Sequence, residues 1–169
     1  MNWDAIGAIG ELVGAAAVVA TLIYFARQIR GSSRDSAAQY FTANQAIQAD
    51  ITKLTIDHAE LLTRANRNEE LSDAERMVFT QLIRHFTGSY FRATRRAQTL
   101  GLAAAEQAQL QSFASFLYGN AAARSEWVRA QQQARRERAV MGLVMNDDFR
   151  PRIEELLNRL DAAANDNQR

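Results

Sequence analysis

The sequence lacks cysteine, contains a single proline and carries almost no net charge. Without cysteine there are no disulfides, thiolate metal sites or cysteine nucleophiles. The one proline, Pro151, leaves almost nothing to interrupt helices. The net charge of +1 provides no general attraction for nucleic acid, and we expect no partner of that class. These absences favour an all-α protein.

Motifs that carry catalysis are also lacking. The chain has no glycine-rich phosphate loop and no serine nucleophile in a recognisable context. His58 lies beside Asp57 and Glu60, but no second histidine follows at a metal-binding spacing. We therefore predict no catalytic residue, no cofactor-binding residue and no metal ligand, and a function other than that of an enzyme.

A long apolar run dominates the amino-terminal part of the chain. Residues 5–26 include only two polar side chains, Glu11 and Thr21. As a helix this run is about 33 Å long, enough to cross a hydrocarbon core of roughly 30 Å. The run therefore predicts a transmembrane helix within residues 1–30.

Residues typical of a membrane interface flank the run. Aromatic side chains mark both ends, and basic side chains crowd only the end that follows the run. This asymmetry predicts that the amino terminus lies outside the membrane and that the remaining chain is cytoplasmic. The predicted interface anchors are Trp3, Tyr24, Arg27, Arg30 and Arg34.

Small residues recur along the run at steps of three and four, and at 100° per residue they share one face. Helices associate in lipid through the close packing of such faces. The face predicts helix–helix assembly, with copies of this chain or with a partner. Its residues are Gly7, Gly10, Gly14, Ala17 and Thr21.

Glu11 is an intramembrane acid near the edge of that face. A carboxylate in this setting costs on the order of 2–3 kcal/mol unless it is protonated, paired or hydrated. Three interpretations are open: an ion- or proton-handling residue in an oligomer, an interhelical hydrogen bond, or a side chain solvated near the headgroups.

At these residues the chain resembles a widespread group of small single-span bacterial membrane proteins, which implies a location in the bacterial inner membrane. The resemblance is carried by WDAIGAIGELVGA at 3–15, ATLIY at 20–24 and ARQIR at 26–30, and it is looser at Trp127 and 149–160. It implies that Glu11 belongs to the pattern of the group. It implies no activity, because none is assigned to the group.

The rest of the chain predicts helices separated by short breaks. Gly31-Ser32-Ser33 predicts a break, followed by a helix over 34–65 with apolar residues at steps of three and four. Ser72 and Glu75 form a capping-box pattern that opens a helix ending at Gly101. Further helices are predicted over 103–118, from Ser125 onward, and after a cap at 146–148.

Together these patterns predict an all-α fold with one amino-terminal transmembrane helix and a cytoplasmic antiparallel bundle of about four to five helices. The predicted division is 1–30 for the membrane helix, 31–161 for the bundle and 162–169 for a flexible tail. We expect a scaffold or an accessory subunit of a membrane complex that contacts lipid and forms homo-oligomers or joins a larger assembly. The alternative is a homo-oligomeric ion channel with Glu11 in or near the pore.

Overall fold

The computed structural model describes residues 3–141 and 148–166, and their side chains except those of 3–10, 12, 13, 33 and 138–141. Six helices and no strand occur in these ranges, which confirms the predicted all-α class. The helices are α1 Trp3–Asp57, α2 Ala59–Asn66, α3 Asp73–Thr99, α4 Ala103–Gly119, α5 Ala121–Met141 and α6 Phe149–Asp166.

The predicted break at residues 31–33 is wrong, because α1 continues through it. A glycine inside a helix costs only about 1 kcal/mol, and neither glycine nor serine removes a backbone hydrogen bond. The interruption comes instead at His58, which precedes α2 with φ −118° and ψ 23°. Its amide still donates to Leu54 O at 3.1 Å, so the change of helix is a local distortion.

Contacts divide the chain into two compact units, Met1–Phe41 and Thr42–Arg169. In the first unit every described side chain from Gly14 to Ser32 is exposed. The second unit contains a core of buried apolar side chains contributed by the end of α1 and by all later helices.

The core of the second unit is aromatic. On α3 an apolar stripe at steps of three and four forms the buried face, with Phe79, Leu82, Phe86, Tyr90, Ala93 and Ala97. Phe113 of α4 is fully buried and lies at the centre of a ring cluster. Its ring centroid is 5.1 Å from that of Tyr90, 5.7 Å from Phe149 and 6.2 Å from Trp127. Aromatic side chains bury large areas, so this cluster accounts for much of the packing among α3, α4, α5 and α6.

Both predicted caps of α3 are confirmed. Ser72 Oγ accepts from the Glu75 amide, and the Glu75 carboxylate accepts from the Ser72 amide. At the other end Gly101 has φ +67°, the left-handed conformation that favours glycine. The Leu102 amide donates to Ala97 O and the Gly101 amide to Gln98 O, which completes a Schellman motif.

Helix α5 begins at Ala121, four residues before the predicted start at Ser125. The reason is a contact from a distant helix. Asn66, at the end of α2, accepts a hydrogen bond from the Ala122 amide through Oδ1 and donates to Asn120 Oδ1. A side chain from α2 therefore satisfies an amide in the first turn of α5, which local sequence could not indicate.

The predicted cap of α6 at 146–148 falls largely outside the described residues, which resume at Asp148. The described helix begins at Phe149 with Pro151 in its first turn, and buries Phe149, Ile153 and Leu157. It continues to Asp166, five residues beyond the predicted end of the bundle. The flexibility of the 162–169 tail stays a prediction.

Candidate functional site

The most distinctive surface in the described chain is the apolar stretch of α1 in the first unit. Seven large apolar side chains are each between 52% and 69% exposed, namely Val18, Val19, Leu22, Ile23, Tyr24, Phe25 and Ile29. Monomeric soluble proteins rarely leave a contiguous apolar surface of this kind uncovered. We call residues 14–29 the exposed segment.

The apolar surface of the exposed segment is not confined to one face. Leu22, Ile23, Tyr24 and Phe25 are consecutive, and at 100° per residue they surround the helix axis. A helix that packs on one side of a bundle shows an apolar stripe, whereas a helix that is apolar on all sides is typical of complete burial. The segment therefore has the apolar pattern that is typical of a helix covered on every side.

The predicted interface anchors are exposed where the structure describes them. The Tyr24 ring is 64% exposed and lies edge-on to Phe25, with centroids 5.9 Å apart. The guanidinium groups of Arg27, Arg30 and Arg34 have no ion-pair partner among the described residues. The side chain of Trp3 lies outside the described residues.

Three members of the small-residue face are described, and all are exposed. A Cβ added at Gly14 would have no atom within 4 Å, so no contact inside this chain requires glycine there. Thr21 Oγ1 donates to Ala17 O at 2.8 Å, which satisfies the hydroxyl within the helix. The side-chain positions of Gly7 and Gly10 lie outside the described residues.

Glu11 is exposed, and the structure brings no described basic side chain to it. The three interpretations of this carboxylate therefore remain predictions.

Within the described residues, no helix combines the length and the continuous apolar character that crossing a membrane requires. The predicted span starts at Ala5, and side chains 5–10, 12 and 13 lie outside the described residues.

The shifted carboxyl pKa values of the second unit belong to ion pairs that join helices. The Ser72 amide and hydroxyl lower the pKa of Glu75, with a further contribution from Arg64 of α2. Arg124 of α5 lowers the pKa of Asp161 of α6 through two hydrogen bonds of 3.1 and 2.8 Å. The two partners of each pair lie on different helices, so these pairs position helices and do not mark a reactive centre.

A cavity of about 290 Å³ lies between α3 and α5. The sequence analysis did not predict this cavity. On α3 its lining residues are Ile83, Arg84, Thr87, Gly88 and Phe91, and on α5 they are Glu126, Trp127, Ala130, Gln131 and Ala134, with Phe149 from α6. The one available signal was Gly88, a glycine in the middle of a strongly predicted helix.

Comparisons with protein-family models, with curated proteins and with solved structures find no match for this chain.

Proposed function

We propose that the chain is a bacterial inner-membrane protein anchored by the helix over residues 5–26, with the helical unit that follows lying in the cytoplasm. In this role it acts as an assembling scaffold or as an accessory subunit of a membrane complex. The exposed segment is the observation that carries the proposal, because its large apolar side chains surround the helix and are all more than half exposed.

The energetics favour insertion by a modest margin. On insertion scales Val, Leu, Ile and Phe each contribute about −0.3 to −0.6 kcal/mol at the helix centre. Nine such residues lie within 5–26, and together they contribute roughly 3–5 kcal/mol. A charged Glu11 at the centre would cost about as much, and its position about 9 Å from Ala5 reduces that cost. Anchoring residues and helix–helix packing then supply further stability.

Assembly follows from the small-residue face. Gly14 has open space around its missing Cβ, and Thr21 is satisfied within its own helix. A second helix can therefore approach this side without leaving a hydroxyl unpaired in lipid. We propose that copies of this helix, or the helix of a partner subunit, pack there.

Vesicle flotation of the purified full-length chain tests the anchoring. The wild-type chain should rise with the vesicles, and Leu22→Arg should reduce the floating fraction, because a central arginine costs about 2.5–3.5 kcal/mol. Ile56→Arg is the matched control: Ile56 lies on the same helix and is 69% exposed, against 63% for Leu22, but is outside the proposed span. Equal flotation of the two variants would contradict the proposal.

Native mass spectrometry of the untagged, detergent-extracted protein tests the assembly. A defined number of identical copies supports self-assembly, and a mass that includes another protein supports the accessory-subunit role. A monomer that retains its fold would contradict both.

A further inference from the structure

We propose that the cavity between α3 and α5 binds a small molecule with an apolar, preferably aromatic, body and one carboxylate. The site lies wholly within the second unit and does not depend on the proposed membrane role. The cavity holds roughly the volume of ten water molecules, which suits a ligand of about ten non-hydrogen atoms. We call it the α3–α5 cavity.

The floor of the α3–α5 cavity is apolar and largely aromatic. Phe91, Trp127 and Phe149 line it, and Trp127 and Phe149 are at most 3% exposed. The Phe91 and Phe149 rings lie edge-on with centroids 5.5 Å apart. Such walls favour an apolar body, and ligand sites commonly combine them with a few polar groups that fix orientation.

The polar groups left unpaired at the cavity are mainly hydrogen-bond donors. Arg84 makes no ion pair or side-chain hydrogen bond within the described ranges. The buried indole N–H of Trp127 also has no acceptor in this part of the chain. A guanidinium and an indole can only donate, so the ligand must supply acceptors.

The acid that lines the cavity is already satisfied. Glu126 Oε1 accepts from Thr80 Oγ1 at 3.1 Å, and its Oε2 accepts from Arg129. Its negative charge still opposes a dianion such as a phosphate monoester. One free guanidinium instead matches a single carboxylate, which it can bind through two parallel hydrogen bonds.

Gly88 provides an independent indication that this space is kept open. A glycine in the interior of a helix is unfavourable, and a Cβ there would meet only the mobile end of Arg92, at 3.2 Å from Nη1. Packing within the chain therefore gives little reason for glycine. A side chain at this position would reduce the cavity that Gly88 lines.

Trp127 offers a direct readout, because the chain has only two tryptophans. Replacing Trp3 with phenylalanine leaves Trp127 as the sole indole. The full-length Trp3→Phe chain, in zwitterionic lipid vesicles, is titrated with 3-phenylpropanoate while tryptophan fluorescence is recorded. We expect a saturable change with a dissociation constant between about 0.1 and 10 mM.

Three comparisons identify the cause of that signal. The uncharged isostere 3-phenylpropanamide should bind about tenfold more weakly than 3-phenylpropanoate. Arg84→Gln should weaken the binding of 3-phenylpropanoate by a similar factor. Arg96→Gln is the matched control, because Arg96 is exposed on α3 but does not line the cavity. Gly88→Leu should abolish the signal without lowering the thermal unfolding midpoint.

The proposal is overturned if no saturable change occurs, if acid and amide bind equally, or if Arg84→Gln and Arg96→Gln behave alike. Because Arg84 is exposed, its replacement leaves the core intact and the test does not depend on Gly88→Leu folding.

Discussion

Two phenylalanines show how differently the two units of this chain use the same residue type. Phe113 of the second unit is 0% exposed and contacts four other aromatic rings, whereas Phe25 of the first unit is 52% exposed. Both lie within long helices. The apolar side chains of the second unit are buried in its own core, whereas those of the exposed segment are uncovered within the first unit.

The difference lies in how the apolar residues are arranged around the helix. On α3 and α4 they recur on one side, so each helix can bury a stripe against its neighbours and leave polar residues in water. In the exposed segment they surround the axis, and no single neighbouring helix could cover them. Whether apolar residues form a core therefore depends on how they are distributed around the helix, and not on their number alone.

The comparison predicts a large difference between matched truncations. Phe113→Ala should destabilise the second unit by about 3–5 kcal/mol, because it removes the centre of the aromatic cluster and leaves a cavity. Phe25→Ala should leave the unfolding of that unit unchanged within about 0.5 kcal/mol and weaken vesicle binding instead. Urea unfolding and vesicle flotation of both variants measure these effects. Equal destabilisation of the second unit would show that Phe25 also contributes to its core.

The small-residue face gives a second, smaller expected effect. Gly10→Ile combined with Gly14→Ile should weaken helix association by about 1–2 kcal/mol, or roughly tenfold, by preventing close approach. Ala15→Ile, away from this face, is the control. Oligomer mass as a function of dilution in detergent reports the change. An unchanged dissociation curve would show that the glycine face does not contribute to helix association.

The capping box of Ser72 and Glu75 should contribute about 1 kcal/mol to the free energy of unfolding of the second unit and nothing to that of the first. Ser72→Ala leaves the Glu75 amide without its acceptor, and such replacements typically cost about that much. Ser115→Ala, at an exposed position inside α4, removes a serine without removing a cap. Thermal unfolding of the two variants should differ, with Ser72→Ala the less stable.

The smallest predicted effect is a loss of stability of the second unit at low pH. The pKa values of Glu75 and Asp161 are lowered in the folded chain, so both carboxylates stabilise it fully only above their unfolded values, near 4.5 and 3.8. That stability is lost as the pH falls through the lower folded values. Urea unfolding between pH 7 and pH 3 should therefore show declining stability of the second unit below about pH 4.5.

Glu75→Gln sharpens this test, because glutamine can still accept from the Ser72 amide but does not titrate. Its stability should depend less steeply on pH in the same range. An identical slope in the variant would show that Glu75 contributes nothing to the acid response.

Much of the second unit could be predicted because its signals are local. The Ser72–Glu75 box, Gly101 and the α3 stripe depend on residues within a few positions of one another. The early start of α5 could not be predicted, because its amide is satisfied by Asn66 from another helix. The continuity of α1 through residues 31–33 was missed, since a tolerated helical glycine has the same sequence signature as a break.

The two candidate sites also differ in whether the sequence alone could predict them. The exposed segment lies largely within the apolar run of residues 5–26, which is visible in the sequence. Gly14, Ala17 and Thr21 follow from helical spacing alone. The α3–α5 cavity depends on how two helices far apart in sequence lie side by side. Arg84 on α3 and Trp127 on α5 could not be associated before that packing was known.

The most direct test of the central claim uses the absence of cysteine, which makes any introduced thiol the only one. Leu22→Cys and Ile56→Cys are each treated with a membrane-impermeant maleimide, with the full-length chain in lipid vesicles and then after detergent and urea. We predict that the thiol of Leu22→Cys is protected in vesicles and labelled after solubilisation, while the thiol of Ile56→Cys is labelled in both conditions. Equal labelling of both positions in vesicles would contradict the insertion of the exposed segment in lipid.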